Sequence, residues 1–260
     1  MQYDGAVIDL DGTVYRGGEL IDGATTAIDR LRGDGISVLF FSNNPIRSRQ
    51  EYANHLSEFG IRTDRHSVLS AGTVTTQFLR ENHADDALFV IGDPGLHRQF
   101  DAAGLTQTTD PGSADVLVVS YNAEFDYDDM VDGYRALAAG ARFYGTDPDL
   151  LVPEREGMKP GSGAVIRAVG GVLDREPDAI LGKPSAAARD AAFGTLSTDP
   201  ERSFVVGDRL NTDIALGELA GATTILVRTG VDGDRTPTDP EYSPDHVVDS
   251  IADVPDVVGL

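Results

Sequence analysis

The sequence predicts an α/β protein: a doubly wound parallel sheet, Rossmann-like, carrying a smaller α/β domain inserted as a cap. Three observations carry this expectation. Short apolar runs recur along the chain, each long enough for a buried strand. Amphipathic stretches lie between several of them and stop at glycine, as helices commonly do. Polar, chemistry-bearing residues follow directly after four of the runs. Buried strands alternating with helices imply a parallel sheet covered on both faces.

The strand candidates, in order, are "GAVIDL", "ISVLFF", "DALFVIG", "ADVLVVS", "ARFYG", "DAILG", "SFVVG" and "TTILVRT". The helix candidates are "TTAIDRLRGDG", "SRQEYANHLSEFG", "LHRQFDAAG" and "DDMVDGYRALAAG". In open α/β sheets, ligands sit outside the carboxyl ends of the strands. Asp9 and Asp11 follow the first run, and Ser42, Asn43 and Asn44 follow the second. Lys183 follows "DAILG", and Asp208 and Asp213 follow "SFVVG". Those four strand ends gather groups suited to a phosphate and a metal. The interval from Asn44 to Lys183 far exceeds one crossover connection. It predicts a second domain over 81–178, placed to cover the strand ends, with 1–80 and 179–260 forming the core.

Composition narrows the function. The 260 residues carry 43 acids against 21 bases, a formal charge of −22. Such a surface repels phosphate backbones, so a nucleic-acid partner is not expected. The acids are dispersed, so they form no acidic tail; two readings fit them, an ordinary acidic cytosolic protein and adaptation to a salt-rich, halophilic cytoplasm where screening shortens self-repulsion. The absence of cysteine excludes disulfides and thiol nucleophiles. No apolar run approaches the length of a membrane span, and no leader-like pattern precedes the first strand. The expected setting is cytoplasmic, without membrane contact; a homo-oligomer is compatible with it.

Together "DLDGT", "FSNN", "GKPS" and "GDRLNTD" resemble, in this order, the four motifs of the haloacid dehalogenase (HAD) superfamily of phosphohydrolases. The short gap between the first two, and the large insert before the third, are similar to the C2-capped branch. That branch includes NagD-like and p-nitrophenylphosphate phosphatases. "DGTVYRGG" and "GTDPDLLVP" also resemble it. The resemblance implies that Asp9 is the nucleophile, forming an aspartyl-phosphate. Asp11 is then the general acid and base, and Ser42, Asn43 and Lys183 hold the phosphoryl oxygens. It implies Mg²⁺ held by Asp9, Asp11 through its main-chain carbonyl, and Asp208, with Asp213 on a bound water. An ion there would resolve the repulsion of two carboxylates at i and i+2 on one side of an extended chain. Tyr15, Arg16, Tyr121 and Asn122 are candidates for leaving-group contacts. The implied activity is hydrolysis of small phosphomonoesters: sugar phosphates, nucleoside monophosphates, phosphoglycolate or p-nitrophenyl phosphate. Two other readings stay open, a phospho-acceptor regulatory protein and a superfamily phosphomutase without net hydrolysis.

Overall fold

The computed structural model describes residues 3–154, 157–232 and 241–260. Among the described residues the strands are β1 (Gly5–Ile8), β2 (Tyr15–Arg16), β3 (Glu19–Leu20), β4 (Ser37–Ser42), β5 (Val68–Ser70), β6 (Leu88–Ile91), β7 (Val116–Val119), β8 (Arg142–Gly145), β9 (Leu151–Glu154), β10 (Gly157–Pro160), β11 (Ala179–Ile180), β12 (Ser203–Gly207), β13 (Thr223–Val227) and β14 (His246–Val248). The longer helices are α1 (Ala24–Gly33), α2 (Arg49–Glu58), α3 (Ala71–Asn82), α4 (Pro94–Ala102), α5 (Tyr127–Ala139), α6 (Ser162–Gly171) and α7 (Ala186–Leu196). None of the described helices is long and apolar enough to cross a membrane.

The chain divides into two compact units. The first comprises Met1–Ser42, Arg49–Leu69 and Lys183–Leu260; the second comprises Asn43–Ser48 and Ser70–Gly182. The expected break at 80/81 instead falls inside α3, two residues before its end. That helix is held as one piece by a capping box in which Ser70 and Thr73 exchange hydrogen bonds.

A six-stranded sheet in the order β14-β13-β12-β1-β4-β5 forms the frame of the first unit. β1 lies between β12 and β4 and runs parallel to both. Its run GAVI is buried at every position, as a central strand covered on both faces requires. Ala6 and Ile8 join α1 (Ile28, Leu31) and α2 (Tyr52, Leu56) in one apolar core. The alternate residues Val7, Leu39, Phe41 and Val205 are equally buried, and α7 packs against β1 and β4. Truncating such a residue to alanine costs about 2–5 kcal/mol. The register pairs Ile8 with Val206 and with Phe40, so the carboxyl ends of three neighbouring strands are level. The β2–β3 hairpin turns through Gly17 and Gly18, both at positive φ (60° and 87°). Two consecutive residues at positive φ in a hairpin loop favour glycine.

A four-stranded parallel sheet, β11-β8-β7-β6, organises the second unit. Its core joins Leu117, Val119 and Phe143 to Ala136 and Leu137 of α5 and to Val165, Ile166 and Val169 of α6. β9 and β10 form a separate antiparallel hairpin. Here the structure corrects the reading of "DAILG" as a strand of the core. Ala179 and Ile180 pair with Tyr144 and Gly145 of β8, and the amides of Leu181 and Gly182 continue onto the carbonyls of Gly145 and Thr146. The open edge of the second sheet captures this segment, and Lys183 opens the return to the first unit.

Candidate active site

The site grows from the level carboxyl ends of β1, β4 and β12. One residue past β1, the Asp9 amide donates to the Val206 carbonyl at 2.9 Å, continuing the ladder. The residue is 7% exposed. Lys183 is 1% exposed. Its Nζ donates to Asp9 Oδ1 (2.7 Å), Asp213 Oδ1 (2.6 Å) and the Phe41 carbonyl (2.7 Å). All three ammonium protons therefore have partners, which burying a lysine demands.

Asp213 sits on a single π-helical turn, Leu210–Ile214, which starts after Asp208 and Arg209 at the end of β12. Its other oxygen accepts from the Arg209 amide at 3.1 Å, so both ends of that carboxylate are engaged. Asp208 Oδ2 accepts from the Val231 amide at 2.7 Å. Gly12 and Gly230 pass so close to Asp208 that a Cβ on either would strike its carboxylate. Gly12 is also at φ +96°, which disfavours any side chain.

Three buried carboxylates, Asp9, Asp208 and Asp213, thus face one buried ammonium. Electrostatics reports the imbalance. Burial, and then the charges of Asp213 and Asp208, push the Asp9 carboxyl well above the usual range, against the pull of Lys183. Burial and Asp213 push Asp208 up to about 7. For Lys183, burial opposes the charge, but Asp213 and Asp9 outweigh it and hold the ammonium above the ordinary lysine range. The lysine stays charged, and the excess negative charge draws a proton unless a cation supplies the balance.

The residues fit a divalent cation on two counts. Each of the three carboxylates offers an oxygen, all within 4.8 Å of one another. Asp9 Oδ2 is buried and has no hydrogen-bond partner among the described residues. An all-oxygen set of this kind suits a hard ion such as Mg²⁺, Ca²⁺ or Mn²⁺.

Asp11 differs from Asp9 by environment: it is exposed, and its Oδ2 accepts from Ser42 Oγ at 3.5 Å. Ser42 is buried at the end of β4 and also accepts from the Tyr52 hydroxyl at 3.4 Å. Two carboxylates two residues apart therefore stand one buried and one solvated, as separate roles require.

Asn43 is buried and belongs to the second unit, where a side chain on Gly182 would meet its Oδ1. Tyr15 packs its ring against His55 and Phe59 in the apolar core. Arg16 donates to the Thr229 carbonyl at 3.0 Å. In the second unit, Lys159 Nζ lies 5.0 Å from the centre of the Tyr121 ring. Both ends of the Asn122 amide serve the start of α5, with Nδ2 on Asp129 and Oδ1 on the Glu124 amide. The structure thus gathers Asp9, Lys183, Asp208 and Asp213, and separately Asp11 with Ser42. Sequence reasoning missed the Phe41 carbonyl, the Val231 amide and Gly230. The first two are backbone groups that any residue supplies, so no side-chain signal marks them.

The profile of haloacid dehalogenase-like hydrolases matches residues 6–106, and a HAD-hydrolase-like profile matches residues 180–254. The chain is 35% identical to sugar-phosphatase AraL of Bacillus subtilis, over 96% of its own length and 91% of that protein. It is 33% identical to the 5'-nucleotidase YutF of the same organism, over 96% and 97%. Among solved structures it is similar to a p-nitrophenyl phosphatase from Archaeoglobus fulgidus, with TM-score 0.92 and 32% identity, covering 98% and 99% of the two chains. NagD of E. coli K-12 superposes with TM-score 0.86 at 27% identity, covering 97% and 98%. On its motifs, its fold and these relatives, the chain belongs to the haloacid dehalogenase-like hydrolases, as a phosphatase of the NagD-like branch.

Proposed function

We propose that the protein is a Mg²⁺-dependent hydrolase of small phosphomonoesters acting through an aspartyl-phosphate on Asp9. One observation carries the reading: a buried Asp9 fixed through one oxygen by Lys183 and, among the described residues, unpartnered at the other, at the carboxyl edge of the sheet. Asp9 attacks phosphorus, and the Asp9–O–P bond forms as the ester oxygen leaves with a proton from Asp11. Asp11, left as a carboxylate by that transfer, then takes a proton from water. The water oxygen attacks phosphorus, releasing inorganic phosphate and restoring Asp9. Lys183, Ser42 and Asn43 hold the phosphoryl oxygens, since this chemistry depends on positioning and charge neutralisation. Asp9, Asp208 and the Asp11 carbonyl would hold Mg²⁺, with Asp213 on a bound water. The ion supplies positive charge against the carboxylates and the phosphoryl group. The engagement of Asp213 by Lys183 and Arg209 gives it a further task, holding the lysine in place.

The second unit serves as an inserted cap that selects the leaving group, with Tyr121 and Asn122, and with Tyr15 and Arg16 of the first unit, as candidate contacts. The relatives' names support sugar phosphates and nucleoside monophosphates as the substrate classes to test first. The acid surplus supports a salt-rich cytoplasm as the working environment. Phosphate release from a panel of sugar phosphates, nucleoside monophosphates, phosphoglycolate and p-nitrophenyl phosphate tests the reading. It should require Mg²⁺, stop with EDTA and vanish in Asp9→Asn. Isomer formation without phosphate release would instead favour a mutase, and stable phosphorylation of Asp9 a phospho-acceptor protein.

A further inference from the structure

Asp232 lies outside all four motifs, nineteen residues after Asp213 in the chain. It is 8% exposed. Its main-chain amide donates to the Asp208 carbonyl at 3.1 Å. Its Oδ2 accepts from the Leu210 amide at 3.0 Å. Leu210 opens the π-helical turn that carries Asp213, and the residue at the cap position, Arg209, offers that turn no side-chain cap. Free amides at the start of a helical turn need an acceptor, and Asp232 supplies one from a distant segment. The neighbouring Val231 amide holds the Asp208 carboxylate itself. One short segment therefore fastens the Asp208 loop by its carbonyl and its carboxylate, and the Asp213 turn by its first amide.

We propose that Asp232 is a positioning residue that sets the separation of the Asp208 and Asp213 carboxylates and thereby the divalent-cation affinity of the site. The inference rests on the reading of Asp9, Asp208 and Asp213 as a cation site. Outer-shell groups that orient metal ligands commonly control affinity. Asp232 would act through two other residues and touch neither substrate nor cation.

The test is Mn²⁺ binding to the full chain by calorimetry, for wild type, Asp232→Ala and Asp232→Asn. Ala removes the acceptor for Leu210, whereas Asn keeps an oxygen there. Asp232→Ala should bind Mn²⁺ about 10-fold or more weakly, the scale of losing an outer-shell partner. Asn should restore most of the affinity, and excess Mn²⁺ should restore turnover to the Ala variant. Wild-type affinity in Asp232→Ala overturns the inference while leaving the cation site standing. No Mn²⁺ binding by wild type overturns both. A second measurement on wild type alone covers the case in which the Ala variant does not fold. Adding Mg²⁺ should slow hydrogen exchange at the Leu210 and Asp213 amides together; a Leu210 amide that stays freely exchanging in saturating Mg²⁺ overturns the inference.

Discussion

Both units bury aspartates, and they surround them with different partners. In the first unit Asp9 and Asp213 share the Lys183 ammonium at 2.7 and 2.6 Å. In the second unit Asp147 is 2% exposed and accepts from the Thr146 hydroxyl (3.1 Å) and the Asp149 amide (3.3 Å). Burial, and then the nearby Asp149 charge, push Asp147 up to about 8. Its protonated form is therefore favoured well beyond the ordinary carboxylate range. Burial does not decide what a carboxylate does. A fixed cation keeps the first set poised for chemistry; hydroxyls and a second acid make the other a hydrogen-bonding group.

Removing a member of the charged set should have the largest effect. Asp9→Asn should cut turnover by about 10⁴-fold or more, the scale seen when a covalent nucleophile is lost, with a wild-type circular dichroism spectrum. Lys183→Ala should lower turnover by about 10³-fold and stability by about 3–5 kcal/mol, because it leaves buried carboxylates without their partner; steady-state kinetics and denaturant melts check both. For the buried aspartate of the second unit the expected change has the opposite sign. Asp147 is raised above its unfolded value of 3.8, so folding takes up a proton between pH 4 and 8. Its contribution favours the fold below about pH 4 and declines as pH rises through 8. Asp147→Asn should flatten that decline and stabilise the protein by on the order of 1 kcal/mol at pH 9. A variant no more stable than wild type at pH 9 would break the comparison. The smallest effect concerns the surface: molar KCl should raise the melting temperature by several degrees, as screening relieves the repulsion of the −22 charge.

Much of the first region was legible before any coordinates, for a physical reason. Central strands buried on both faces read as unbroken apolar runs, and the residues after them are where a parallel sheet presents chemistry. That logic placed Asp9, Ser42, Asp208 and Asp213. It misjudged "DAILG", because two residues of strand can pair with whichever sheet edge is open, and edge capture leaves no periodic trace. The break near residue 80 was misplaced because α3 carries no glycine stop at that point; its signal is the Ser70–Thr73 cap, hidden in "LSAGT". Asp232 and Gly230 were illegible for another reason. Their importance lies in contacts to main-chain groups and to Asp208, more than twenty residues away in the chain for each, and a loop "TGVDGD" reads as a turn and nothing more.

Hydrolysis through a covalent intermediate requires Asp9 to carry the phosphoryl group during turnover. Borohydride reduction of enzyme quenched while hydrolysing a good substrate in Mg²⁺, followed by peptide mass spectrometry, tests this directly. The expected product is homoserine at position 9, with Asp11, Asp208 and Asp213 unchanged. Steady phosphate release with residue 9 left as aspartate in every quenched sample, or the reduced residue appearing at another aspartate, would contradict it.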